Sequence, residues 1–281
     1  MLNLLWEAEK SEENMMKKTM MAVAALSAAA AFADIVSSEV VGYTSKDLTK
    51  GTGKLSMVAG TFSGIGTDGF QMNGNMTVAG VKGGTDALSS DTLLLWDPTL
   101  AGGAGGYTTY YYYDDGEEAG WCDPEDAYVE DNLPNGFASG TAFWFKAYDG
   151  ADKDITFSGA VEGADYVVPA LSGGTQLSMV ANAYPVALQL NDENCVSFTG
   201  LKGGTDALSS DTLLLWDPTL AGGAGGYTTY YYYDDGEEAG WCDPEDAYVE
   251  DNLPNGFAAG TAFWFKPYNA GEREIKFKKN F

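Results

Sequence analysis

The sequence predicts an all-β fold: two tandem antiparallel β-sandwich or barrel-like domains following an N-terminal signal peptide. Three observations predict it. A long segment occurs twice, its turn-bounded runs are short, one of them rich in Tyr and Thr, and helical periodicity is not sustained after the N-terminal region. The repeated segment, residues 82–146, returns as residues 202–266 at an offset of 120, and the 65 aligned positions differ once, Ser139 against Ala259. Around it the halves diverge but keep a frame. Leu55-Ser56-Met57-Val58-Ala59 answers Leu177-Ser178-Met179-Val180-Ala181, and Asp154-Ile155-Thr156-Phe157 answers Glu274-Ile275-Lys276-Phe277. The domains are therefore placed at 34–160 and 161–281, each long enough to bury a core of its own. A period this long signals tandem domains, not a solenoid of small units.

Within each unit, Leu93-Leu94-Leu95-Trp96 is a strand stopped by Asp97-Pro98, and Tyr107 to Tyr113 is a second one. The glycines between them make the pair a β-hairpin. Asp115-Gly116 turns the chain toward Trp121, and Pro134-Asn135-Gly136 is a further turn. Thr141-Ala142-Phe143-Trp144-Phe145 has large apolar groups on both faces, which predicts a central strand covered on both sides.

Residues 1–33 read as a leader and signal peptide. Lys17 and Lys18 precede an apolar run from Met20 to Ala31, and Ala31-Phe32-Ala33 is a small-x-small cleavage site. Four Glu residues lie before Met15, where a signal needs positive charge, so translation is expected to start at Met15 or Met16. The run is too short for a stable bilayer anchor, and no membrane insertion is expected.

Composition removes several function classes. The chain has no His, so a Ser-His-Asp triad, a Cys-His pair and a histidine metal site are all unavailable. A formal charge of −26 disfavours nucleic-acid partners and anionic lipid. Carboxylate-pair hydrolysis is the enzyme chemistry left open, but acids are too abundant here for two of them to mean anything, and no catalytic residue is assigned.

Four features remain as candidates. The first is an aromatic interaction surface, Tyr107, Tyr110, Tyr111, Tyr112, Tyr113 and Trp121, repeated as Tyr227, Tyr230, Tyr231, Tyr232, Tyr233 and Trp241. Strand alternation puts Tyr110 and Tyr112 on one face and Tyr111 and Tyr113 on the other. One set should pack in the core, while the other serves a glycan, a protein partner or a cross-strand aromatic ladder. The second is an acidic belt, Asp114, Asp115, Glu117, Glu118, Asp123, Glu125 and Asp126. It is read either as a solvated loop or as a weak Ca²⁺ site, although its spacing matches no EF-hand. No other cofactor is expected. The third is Cys122, Cys195 and Cys242, an odd number whose pairing stays open between a bridge within the second unit, a bond to another chain, and buried thiols. The fourth is a basic tail, Arg273, Lys276, Lys278 and Lys279, absent from the first unit. It reads as an assembly strand added to a neighbour's sheet edge, or as protection of its own edge.

Ile35-Val36-Ser37-Ser38-Glu39-Val40-Val41-Gly42-Tyr43, with Tyr107-Thr108-Thr109-Tyr110 and Gly140-Thr141-Ala142-Phe143-Trp144, resembles a group of secreted bacterial proteins sharing that opening phrase and aromatic hairpins. The resemblance implies a bacterial, exported protein and carries over no activity. The functional expectation is a non-enzymatic cell-surface or extracellular structural protein whose partner is itself, as a homo-oligomer or head-to-tail polymer. The alternative is a tandem glycan-binding module.

Overall fold

A computed structural model describes residues 41–63, 72–123, 140–168, 171, 176–243 and 258–279. The signal segment, the Pro134-Asn135-Gly136 turn, Glu125 and Asp126 lie outside the described residues.

The described chain is all-β, built from small antiparallel sheets. The first repeat contributes β1 (Val41–Asp47), β2 (Leu55–Gly60), β3 (Met76–Ala79), β4 (Thr92–Asp97), β5 (Gly106–Asp114), β6 (Ala119–Cys122), β7 (Thr141–Lys146) and β8 (Asp154–Ala160). The second contributes β9 (Tyr166–Val167), β10 (Ser178–Ala181), β11 (Val196–Thr199), β12 (Thr212–Asp217), β13 (Gly226–Asp234), β14 (Ala239–Cys242), β15 (Ala262–Lys266) and β16 (Glu274–Phe277). Each repeat forms a three-stranded and a five-stranded sheet in the same order, β1-β8-β3 with β2-β7-β4-β5-β6, and β9-β16-β11 with β10-β15-β12-β13-β14.

The predicted hairpin is β4–β5, with Leu93 opposite Tyr110 and Trp96 opposite Tyr107. Its connection includes the tight turn Leu100–Gly103, left-handed at Ala101 and Gly102, after which Gly105 adopts φ +87°. A Cβ on Gly105 would stand 2.1 Å from the Trp96 ring. Trp96 is itself wedged against Trp264 and cannot withdraw, so Gly105→Ala combines a left-handed backbone with overpacking. The expected loss is about 2–4 kcal/mol, read as a lowered urea midpoint. Asp115-Gly116 forms the β5–β6 turn, with Gly116 at φ +87° and the Asp115 N–H donating to the Glu118 carbonyl (3.4 Å).

Alternation along each strand distributes the apolar side chains over three cores. Val58, Met76, Leu93, Tyr110, Trp121, Phe143, Phe145, Ile155 and Phe157 fill the space between the two sheets of the first repeat. Val180, Val196, Leu213, Tyr230, Trp241, Phe263, Phe265, Ile275 and Phe277 do the same in the second. A third core joins the repeats: Met57, Ala59, Ala142 and Trp144 meet Ala181, Ala262 and Trp264. The four small sheets are arranged as the blades of a propeller-like ring, and the third core lies between the two five-stranded ones. β7 is covered on both sides as its sequence predicts, Phe143 and Phe145 inward and Ala142 and Trp144 toward the other repeat. Residues 41–281 form one compact unit.

Candidate interaction surface

The aromatic stripe on β5 is held between neighbours on both faces. Tyr110 is buried in the first core, and Tyr112 packs against that core with its ring 5.4 Å from Trp121, edge to face. Tyr111 is also buried, and Tyr113 is half-buried with its hydroxyl donating to Asp115 Oδ2 (2.9 Å). Tyr107 is the exception at 42% exposed, and its hydroxyl accepts from Trp144 Nε1 (3.2 Å). Tyr227, Tyr230, Tyr231, Tyr232 and Tyr233 repeat this pattern, and Trp241 is buried as Trp121 is. The stripe is thus an aromatic ladder stabilising the hairpin, not a continuous exposed platform.

The described part of the acidic belt is occupied with its own turn. Asp115 Oδ1 accepts the N–H groups of Glu117 and Glu118, both at 2.9 Å, and Asp114 Oδ1 accepts from Gly116. The backbone donors of Glu118 and Glu117 and the Tyr113 hydroxyl hold the Asp115 carboxyl below the usual range. The same hydrogen bond pushes the Tyr113 hydroxyl up to about 12, and Tyr233 follows through Asp235. Among the described residues, no group of three acids or thiols is arranged to hold a metal ion.

Cys122 and Cys242 are buried and Cys195 is half-buried; no disulfide forms among the described residues. Burial raises the Cys195 thiol, and its Sγ lies 3.5 Å from Asp192 Oδ2.

The basic tail is where geometry departs most from expectation. β16 is the middle strand of its sheet, paired on one side with β11 and on the other with β9. Among the described residues it has a partner strand on each side, so it is not an edge strand. The Arg273 side chain is 5% exposed: Nε donates to Asp211 Oδ2 (2.7 Å) and Nη2 to Asn269 Oδ1 (2.8 Å). Lys276 is central in β16, Lys278 pairs with Asp165 (3.4 Å), and Lys279 donates to the Gly163 carbonyl (3.1 Å). Residue counting treats every base as solvated, whereas here one serves a buried carboxylate and two fasten the strand to the start of its own repeat.

The first repeat solves the same problem with different residues. Lys153, with its side chain 1% exposed, places Nζ 3.0 Å from Asp91 Oδ2 and 2.9 Å from Asp149 Oδ1, and donates to the Gly80 carbonyl. Asp91 and Asp211 each also accept two backbone N–H bonds, from Lys82 and Tyr148 and from Lys202 and Tyr268.

Sequence reasoning missed the surface with the most built-in geometry, the contact between repeats. Trp96 meets Trp264 edge to face at 5.1 Å, and Trp144 meets Trp216 at 5.1 Å. These are the same two positions of the repeat, exchanged. Hydrogen bonds cross the contact from Trp216 Nε1 to the Leu55 carbonyl (3.1 Å), from the Ala59 N–H to the Gly260 carbonyl (3.2 Å), and from Lys54 Nζ to the Gly223 carbonyl. The available signal was the second apolar face of β7, which needs a cover.

Lys46 lies at the same contact, donating to the carbonyls of Met57 (2.9 Å) and Gly260 (3.3 Å), and burial lowers its pKa from 10.5 to about 8. The unfolded chain keeps the ordinary lysine value. Between about pH 8 and 10.5 it therefore binds more protons than the folded chain, and this group makes stability rise with pH across that window. Below the window both states are protonated and the contribution is flat. Subtracting the pH profile of a Lys46→Met variant from that of the natural chain, by urea unfolding, should isolate this rise; a level difference would show an unburied amine.

These features define the class no further than an all-β protein with an internal duplication. Comparison with protein-family models, curated proteins and solved structures finds no match.

Proposed function

We propose that the protein is an exported, non-enzymatic structural protein of the cell surface or extracellular space. In this reading its two tandem β-sandwich domains are building blocks that associate with further copies of the chain. One observation carries the proposal: the face between the repeats is self-complementary. Residues 82–146 and 202–266 supply the paired Trp positions to each other, so the same face of a second molecule offers matching partners. Two such faces on one chain allow closed dimers or open chains once the internal contact is exchanged. The strand-addition route through the C-terminal tail is replaced by this one, because β16 is already paired on both edges.

The test uses the full mature chain, loosened in mild urea and returned to buffer at several concentrations, followed by light scattering and electron microscopy. Mass that grows with concentration, with dimers or filaments, is expected. A strict monomer at every concentration after this cycle would remove the self-assembly reading. Sequencing the N-terminus of the exported protein tests the address separately; a start near Asp34 is expected, and an intact Met1 would overturn export.

A further inference from the structure

We propose that Lys153 and Asp91 condense into an intramolecular amide, a covalent cross-link between the two sheets of the first repeat. Asp91 immediately precedes β4 in the five-stranded sheet, and Lys153 immediately precedes β8 in the three-stranded one. The Lys153 and Asp91 side chains are 1% and 0% exposed, and Nζ stands 3.0 Å from Asp91 Oδ2. An amine and a carboxyl group are thus held in contact in a site closed to water, where proximity replaces the encounter that such a reaction needs in solution.

The neighbours are placed for the reaction. Lys153 Nζ also lies 2.9 Å from Asp149 Oδ1 and donates to the Gly80 carbonyl (2.8 Å), which fixes the amine. Asp149 is 38% exposed, so it can exchange protons with water while it touches the amine. The Tyr148 N–H donates to Asp91 Oδ1 and the Lys82 N–H to Oδ2, both at 2.7 Å. These donors meet the oxygens on which charge develops when nitrogen attacks Cγ.

Burial opposes the charge on Lys153, but Asp149 and Asp91 outweigh it and raise the amine above its ordinary value. The reaction accordingly starts from the ion pair. Asp149 takes a proton from the ammonium, the free amine forms the Nζ–Cγ bond, and the Cγ–Oδ2 bond breaks. Of the three ammonium hydrogens, one stays on the amide nitrogen and two leave with Oδ2 as water, relayed by Asp149. Atoms and charge balance without oxidant, reductant or cofactor. The product removes two charges from a dry interior, where an ion pair is costly to keep.

The second repeat is the internal comparison. The offset of 120 sets Asp211 at Asp91, Arg273 at Lys153 and Asn269 at Asp149. Arg273 makes the same buried contact, to Asp211 (2.7 Å) and Asn269 (2.8 Å). The contact itself therefore requires neither a primary amine nor a second carboxylate, yet the first repeat has both. A guanidinium keeps its proton and Asn carries none to relay, so no bond forms there. The cross-link suits the structural role proposed above but does not rest on self-association.

The test is the intact mass of the denatured full chain by mass spectrometry, followed by proteolysis and peptide sequencing. A mass one water below that of the sequence is expected in most molecules, with a branched peptide joining Asp91 to Lys153. Asp149→Asn keeps both reacting groups and should leave most of the chain at full mass, since a lost proton relay slows such a step about a hundredfold or more. Combined with Lys153→Arg it copies the set on which the second repeat already folds, and a folded chain at full mass is expected. A natural chain at full mass overturns the proposal. So does a water loss that persists in the double variant, or one that maps within a single peptide and is reversed by mild alkali, the mark of a succinimide at an Asp-Gly step such as Asp149-Gly150.

Discussion

Replacing Trp264 with Ala is expected to lower the stability of the chain by about 4 kcal/mol, among the largest losses available from one side chain. Trp264 is 3% exposed, meets Trp96 edge to face, and donates to the Tyr227 hydroxyl (3.2 Å). Truncation removes the ring from the third core and leaves a cavity between two sheets that cannot close independently. It also leaves Trp96, whose own Nε1–H has no acceptor among the described residues, with Tyr107 but without its partner across the contact. Trp144→Ala should cost a similar amount through Trp216. The double variant should lose less than the sum of the two, because both act on one contact and the first change already loosens it. Urea unfolding followed by circular dichroism reads all three. Losses below about 1 kcal/mol for each single variant would mean that the repeats barely support one another.

The second large effect is at Asp211. Its carboxylate is completely buried and holds the Arg273 guanidinium together with two backbone N–H groups. Asp211→Ala leaves a buried cation without its counter-charge, at an expected cost of about 3–5 kcal/mol. Pairing it with Arg273→Met should restore part of the loss, since the stranded charge is then gone. The restoration should be incomplete, because the N–H groups of Lys202 and Tyr268 remain unsatisfied. A double variant as stable as the natural chain would show that those backbone bonds contribute nothing. One no better than Asp211→Ala alone would show that the charge was never the problem. Asp91 and Lys153 give the same experiment in the first repeat, with Asp149 sharing the cation.

Local pattern made much of the strand layout legible. The β4–β5 hairpin, the Asp115-Gly116 turn and the doubly covered β7 were all readable from alternation and turn residues. The order of strands within a sheet was not, since placing β7 between β2 and β4 depends on pairings between distant segments. The same limit explains the tail. Four bases near the end of an acidic chain look solvated until a carboxylate 62 residues earlier is found beside Arg273. The Tyr stripe showed its alternation but not its covering, because burial of Tyr111 is a property of the packed fold and not of the strand. The cluster around Lys153 was half legible: the aligned halves set Lys153 and Asp149 against Arg273 and Asn269, but nothing in them placed Asp91 or Asp211 alongside.

The exchanged Trp pairs also constrain how this molecule can change. A genetic event that copies one repeat onto the other alters both walls of the contact in the same step. A substitution at position 96 that is carried to position 216 recurs once in each pair, facing position 264 in one and position 144 in the other, so the two pairs pose the same fitting problem and it has to be solved only once. Copying that homogenises residues 82–146 and 202–266 therefore keeps the two pairs equivalent, while an unshared change makes one pair differ from the other.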